Sequence, residues 1–166
     1  MARHGSARRT DIEAQGESMF QHILLPTDGS ELSQLAMEKG IAFAKSTGAR
    51  VTAVHVGPEF EPIAYDGLMP VDPITDEQFA EEARARGQTY LASVERKAAE
   101  AGVACDTVYT TGHHPFDVII RTAEERGCDL IVMASHGRRG LASLLLGGET
   151  QRVLTHTKIP VLVFRG

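Results

Sequence analysis

Short apolar runs alternate with longer helical stretches along most of this chain, and this alternation limits the folds open to it. The runs that predict strands are 23–25, 50–56, 103–110, 130–133 and 160–164. The stretches that predict helices are 31–47, 75–101, 115–127 and 149–157. Strands that alternate with helices form a parallel sheet with helices on both faces. Right-handed crossovers then make an α/β, doubly wound sheet.

The first helical stretch has clear boundary signals. Ser30 is a good N-cap, and Gly48 is a good C-terminal stop. The apolar residues at helical spacing are Leu32, Leu35, Ala36 and Phe43.

Length and charge exclude several classes of protein. The 166 residues suit one domain, and 17 basic against 22 acidic side chains give a net charge of −5. An acidic chain is a poor general ligand for nucleic acid, because duplex affinity comes mostly from cations that neutralise phosphates. No apolar run approaches the ~20 residues that span a bilayer.

Cys105 and Cys128 form no CxxC pair, so we expect free thiols and a cytoplasmic protein.

The first residues differ from the rest. Residues 1–18 lack apolar periodicity, and the pair Arg8-Arg9 is followed by no apolar segment, so a signal peptide is not expected. We expect a disordered extension at 1–18 and one domain at 19–166.

Ligands of doubly wound sheets bind outside the carboxyl ends of the strands, where the strand order reverses. Segment 134–148 follows a buried strand, is rich in glycine and reaches a helix start at Gly147-Gly148. A helix start favours an anion, glycines let a phosphate approach the main chain, and Arg138 and Arg139 add positive charge. The competing interpretation is a glycine-rich turn with exposed arginines.

The turn after the first strand is the second candidate segment. Asp28 could accept hydrogen bonds from a base or ribose, or could only shape the turn. The chain has no G-x4-G-K-[ST] loop, no G-x-G-x-x-G after the first strand and no G-x-S-x-G elbow.

The histidines have competing interpretations. His113 and His114 follow a strand, but no metal-ligand spacing recurs, which favours a polar loop over a metal or general-base site. His55 could simply satisfy a hydrogen bond, and His136 could contact phosphate or only cap its loop.

Charge is distributed unevenly. Segment 59–82 contains eight acidic residues and no Lys or Arg, whereas 138–166 contains five basic residues and only Glu149 as an acid. A local basic patch on an acidic protein suits a small anionic ligand.

Together these segments resemble the universal stress protein family over about 20–165. The resemblance depends on residues 23–30, 54–56, 129–137, 144–147, 153–154 and 159–163. It implies a five-stranded parallel sheet, which pairs in a homodimer through Val161–Phe164. One branch of the family binds ATP through G-x2-G-x9-G-[ST]. The matching positions here are Ala134, Gly137, Gly147 and Gly148, so the first glycine and the terminal hydroxyl are missing.

The resemblance also implies roles for individual residues. Pro26, Thr27 and Asp28 would line the adenosine side, and Val56 would meet the adenine through its backbone. The residues expected around the phosphates, mostly through main chain, are Gly137, Arg138, Gly147, Gly148 and Glu149. Ala134, at the first position of the motif, is small enough to let the ribose and phosphates approach, and His136 stays a candidate phosphate contact from its place in the loop. Thr150 is a candidate substitute for the missing hydroxyl.

The expected function is binding of ATP or AMP by a dimeric stress-response regulator, with Mg²⁺ or Mn²⁺ bound only through the phosphates. No activated nucleophile or acid/base pair accompanies the loop, so at most slow ATP hydrolysis is expected. The alternative is a nucleotide-independent module that regulates a partner protein or transporter. A nucleotidyl-transfer enzyme ranks last, because residues 27–30 lack a Ser-Gly-Gly-x-Asp-Ser loop.

Overall fold

The computed structural model describes residues 18–59, 75–136 and 146–165, and strands and helices alternate throughout them. In chain order the elements are β1 (His22–Pro26), α1 (Glu31–Thr47), β2 (Arg50–Gly57), α2 (Asp76–Ala101), β3 (Cys105–Thr111), α3 (Pro115–Arg126), β4 (Leu130–Ala134), α4 (Gly148–His156) and β5 (Val161–Phe164).

The five strands form one sheet in the order β3-β2-β1-β4-β5, and every pairing is parallel. One face is covered by α1 and α2 through a core that includes Ile23, Leu25 and Val132. The other face is covered by α3 and α4 around Leu24 and Ile131. The predicted doubly wound α/β fold is confirmed. The strand order reverses between β1 and β4, which is the switch point of such a sheet.

The helix ends agree with the capping signals. The Ser30 hydroxyl accepts a hydrogen bond from the Ser33 N–H at 3.2 Å, and Gly48 takes the left-handed conformation at φ 71°. Thr75 and Gln78 form a capping box at the start of α2. These signals are local, so the sequence alone can show them.

The helix predicted from the apolar spacing of 31–47 is confirmed, but of its four apolar residues only Ala36 is buried. Leu32, Leu35 and Phe43 are only half-buried. The residues that face the sheet are Ser33, Ala36, Met37, Gly40, Ile41 and Ala44. Small residues let the helix lie close to the strands. A Cβ on Gly40 would lie 2.5 Å from Leu25 Cδ2, so this close approach requires glycine at position 40.

Both thiols are free, as expected. Cys128 is buried and Cys105 half-buried, and burial raises the pKa of each thiol to about 11. Both thiols therefore remain protonated at neutral pH. Within the described ranges, no helix is long and apolar enough to cross a membrane.

The free energy of unfolding is expected to decrease below pH 6.5 because of His22. This side chain is 4% exposed, and its Nε2 lies 2.7 Å from Thr52 Oγ1. Burial, with the nearby Arg50 cation, lowers the pKa of His22 from its ordinary 6.5. The unfolded chain then takes up the proton first, so stability is lost as the pH falls through 6.5 towards the lower folded pKa. Urea unfolding at pH 7.5 and 5.5 measures this loss, which should be smaller in His22→Asn. An equal loss in both proteins would contradict the assignment.

Candidate functional site

A cleft of about 1000 Å³ opens at the carboxyl ends of the strands, on both sides of the β1/β4 switch point. Ten of the residues expected from the sequence to bind the nucleotide line it: Pro26, Thr27, Asp28, Val56, Ala134, His136, Gly147, Gly148, Glu149 and Thr150. His55 and His113 line it as well. Gly137 and Arg138 lie outside the described residues. Segments far apart in the chain therefore meet in one cleft.

The turn between β1 and α1 forms one end of the cleft. The Asp28 carboxylate accepts a hydrogen bond from the Ser30 N–H at 3.0 Å, and Thr27 Oγ1 accepts one from the Gly29 N–H at 3.3 Å. The Thr27 N–H donates to the Val54 carbonyl at 2.9 Å, which continues the β1–β2 pairing into the turn. Asp28 thus shapes the turn while remaining part of the cleft wall.

Helix α2 supplies a wall that the sequence did not predict, through Ala83, Arg86 and Tyr90. The Tyr90 ring lies against the turn, where a Cβ on Gly29 would come within 2.6 Å of Cδ1. Gly29 has φ 76°, so both its backbone conformation and the Tyr90 ring require glycine there. No pattern in the sequence predicts that α2 lies beside the turn.

The start of α4 forms the opposite end of the cleft. Gly147 is the N-cap, and its N–H donates to the Ser135 carbonyl at 2.8 Å. The first bond within the helix runs from the Gln151 N–H to the Gly147 carbonyl. The N–H groups of residues 148–150 precede this bond and have no acceptor within the helix, so they are the donors available for an anion.

Thr150 does not replace the hydroxyl that the family motif has at the position of Gly148, because its own hydroxyl proton already has an acceptor. It is 3% exposed, and its Oγ1 donates to the Ala134 carbonyl at 2.9 Å. This bond ties the first turn of α4 to the end of β4. The hydroxyl therefore positions the helix start.

Glu149 has a partner on another helix. Its Oε2 accepts a hydrogen bond from the Phe116 N–H at 2.8 Å, and its Oε1 lies 3.7 Å from Arg152 Nη1. His114, the N-cap of α3, makes no side-chain capping bond. The Glu149 carboxylate thus caps α3 from α4, and it also places a negative charge in the cleft wall.

Histidines lie at two places along the cleft. His136 Nδ1 lies 3.0 Å from Ser135 Oγ, and His113 Nε2 contacts the Glu59 carboxylate just after β2. Among the residues that the structure describes, no group of three or more His, Cys, Asp or Glu side chains could hold a metal ion. The sequence did not predict that Glu59 and His113 would meet.

The two ends of the cleft differ chemically. The turn end combines the Asp28 carboxylate and the Arg86 side chain with apolar and aromatic walls, whereas the α4 end offers backbone N–H donors and the positive end of a helix dipole beside the Glu149 carboxylate. This arrangement suits an elongated ligand with a polar ring at one end and an anionic group at the other.

Comparison with known proteins gives a consistent result. The model of the universal stress protein family matches residues 19–165. The chain is 32% identical over 149 residues to universal stress protein YxiE of Bacillus subtilis, which covers 89% of this chain and 100% of that protein. It is 35% identical over 154 residues to universal stress protein MJ0531 of Methanocaldococcus jannaschii, which covers 93% and 87% of the two chains.

Solved structures show the same fold. Protein MJ0577 of the same archaeon superposes with a TM-score of 0.75 at 26% identity, over 89% of this chain and 97% of that one. A universal stress protein in complex with cAMP gives 0.64 at 22% identity, over 88% and 97%. The Archaeoglobus fulgidus protein in complex with dAMP gives 0.56 at 18% identity, over 86% and 96%.

Proposed function

The chain belongs to the universal stress protein family, and from this premise we propose that its switch-point cleft binds ATP or AMP. The observation that carries the proposal is the position of the cleft, which joins the Asp28 turn to the start of α4 across the β1/β4 reversal. Two neighbours of the same fold form complexes with adenine nucleotides, cAMP and dAMP, and this supports an adenine nucleotide here.

The proposed orientation follows from the chemistry of the two ends. Pro26, Thr27, Asp28 and Val56 receive the base and ribose, because that end has the carboxylate and the apolar walls. The phosphates lie on the start of α4, where backbone N–H groups can donate to their oxygens. A cleft of about 1000 Å³ has room for a nucleoside triphosphate. Mg²⁺ or Mn²⁺ would bind only through the nucleotide phosphates.

Two measurements test this proposal. Mass spectrometry of the denatured protein detects nucleotide retained through purification, and calorimetric titration measures the dissociation constants of ATP and AMP. Binding with micromolar to submillimolar dissociation constants is the expected result. No retained nucleotide and no heat of binding at millimolar ligand would refute nucleotide binding. That outcome would favour the nucleotide-independent regulatory module. A cytoplasmic location and a role in signalling stay predictions.

The missing hydroxyl at the phosphate end predicts a gain of affinity. Gly148→Ser is expected to tighten ATP binding by roughly three- to tenfold, because one added hydrogen bond to a charged group is worth about 1 kcal/mol or more. Among the residues that the structure describes, the added Cβ meets no atom within 4 Å, so the substitution fits. Gly148→Ala is the matched control, which adds the Cβ without the hydroxyl and should leave affinity within about twofold. Equal effects of the two variants on the calorimetric dissociation constant would contradict the prediction.

We also propose that the chain forms a homodimer through β5. This strand is at the edge of the sheet, next to β4, and all four of its residues are half-buried. Two such edges that pair with each other would satisfy their backbone groups and cover their apolar side chains. Light scattering at micromolar concentration should give a dimer mass, and Val163→Lys should shift it towards monomer. A wild-type protein that is monomeric under these conditions would refute the proposal.

A further inference from the structure

We propose that His55 is the positioning residue of the base end of the cleft, because it holds the peptide plane that leads into Asp28. This inference rests on the proposed nucleotide site. It goes further by assigning a role to a side chain on β2. The sequence alone indicated only that this side chain could satisfy a hydrogen bond.

The contact that carries the inference joins His55 Nδ1 to the Thr27 carbonyl oxygen at 2.8 Å, in the interior and across 28 residues of sequence. A carbonyl oxygen only accepts, so Nδ1 carries the proton and donates it. The Thr27 carbonyl and the Asp28 N–H belong to the same planar peptide group. Holding that oxygen therefore fixes the orientation in which the chain enters Asp28.

Local bonds of the turn do not replace this contact. The bonds from the Gly29 N–H to Thr27 Oγ1 and from the Ser30 N–H to Asp28 Oδ1 join atoms of the turn to one another. The bond from the Thr27 N–H to the Val54 carbonyl also comes from β2, but it holds the peptide group before Thr27, whereas His55 holds the one after it. The bond from His55 comes from β2 and ties the turn to the sheet. It can therefore set where the Asp28 carboxylate lies relative to the cleft.

The donor is itself held in place. The His55 ring is 9% exposed and packs edge-on to Tyr90, with ring centroids 5.3 Å apart, and near Tyr109 at 6.0 Å. Gly87 leaves room for it, since a Cβ there would lie 2.5 Å from His55 Cδ2. Because packing already fixes the His55 ring, the donor is in position before any ligand binds, as a preorganised site requires.

The test compares His55→Leu, which removes the donor, with His55→Asn, whose amide nitrogen can take the place of Nδ1. Both variants are first checked for a cooperative thermal transition. We expect ATP to bind about tenfold more weakly to His55→Leu, and His55→Asn to stay within about threefold of the wild type. A role through Asp28 also predicts that His55→Leu adds nothing further to an Asp28→Ala background. Equal losses in the Leu and Asn variants, or additive losses in the double variant, would overturn the inference.

Amide hydrogen exchange separates this inference from the nucleotide proposal, because it needs no ligand. The amides of Gly29 and Ser30 should exchange about tenfold faster in His55→Leu than in the wild type, while the β4 amides stay unchanged. If the wild type binds neither ATP nor AMP but the turn amides respond in this way, the proposed function fails and the positioning of the turn by His55 stands. Turn amides that exchange at the wild-type rate would refute the positioning itself.

Discussion

Replacing Gly148 with aspartate is expected to weaken ATP binding by roughly a hundredfold while the fold stays as stable as before. The carboxylate would lie at the start of α4, where the proposed site holds the phosphates. At an effective dielectric of about 20, two unit charges about 5–6 Å apart repel each other by roughly 3 kcal/mol, which is on the order of a hundredfold in affinity.

The fold should tolerate this substitution for two structural reasons. A Cβ at position 148 meets no atom within 4 Å in the described part of the chain, and an acidic residue in the first turn of a helix interacts favourably with the helix dipole. Gly148→Asn is the matched control, because it has the shape of aspartate without its charge, and it should keep the ATP dissociation constant within about threefold. The two constants come from calorimetry and the stability from urea unfolding. Similar affinity in the Asp and Asn variants would show that the phosphates do not lie at this helix start.

The contrast between the two ends of the cleft also shows how far the sequence could predict the site. The start of α4 was predictable, because Gly147 and Gly148 follow a buried strand and precede an amphipathic stretch. The fold was predictable for the same reason, since strand–helix alternation and helix caps are local signals, and the structure confirms both. The hydrogen bonds that hold the helix start were not predictable. Those of Gly147 and Thr150 go to the end of β4, which is far away in sequence.

The base end shows a second limit. His55 on β2 and Tyr90 on α2 both contact the β1–α1 turn. The sequence between β2 and α2 has no helical or strand periodicity, so it does not predict where α2 lies. The buried face of α1 shows a related limit. A sequence pattern ranks side chains by hydrophobicity, whereas the close approach at Gly40 depends on the shape of the sheet beneath it. Local chemistry was therefore predictable, and contacts between distant elements were not.

Two substitutions of Glu149 have the second large expected effect, and together they separate the capping role of the carboxylate from the effect of its charge. Glu149→Ala is expected to lower the free energy of unfolding by about 1–3 kcal/mol, because the Phe116 N–H loses its acceptor. For a domain of this size the melting temperature should fall by roughly 3–8 °C. Pro115 has no N–H, and the Asp117 and Val118 N–H groups donate to the His114 carbonyl, so the Phe116 N–H is the donor of this first turn that needs Glu149.

Glu149→Gln is the matched variant, because its amide oxygen can still accept from Phe116 while its charge is gone. It should keep most of the stability, with a loss under about 1 kcal/mol. It should also bind ATP a few-fold more tightly, since a negative charge leaves the cleft wall that faces the phosphates. Thermal unfolding and calorimetric titration of both variants measure the two effects. A Gln variant as unstable as the Ala variant would show that the stability comes from the ion pair between Glu149 and Arg152, and that capping of α3 does not contribute to it.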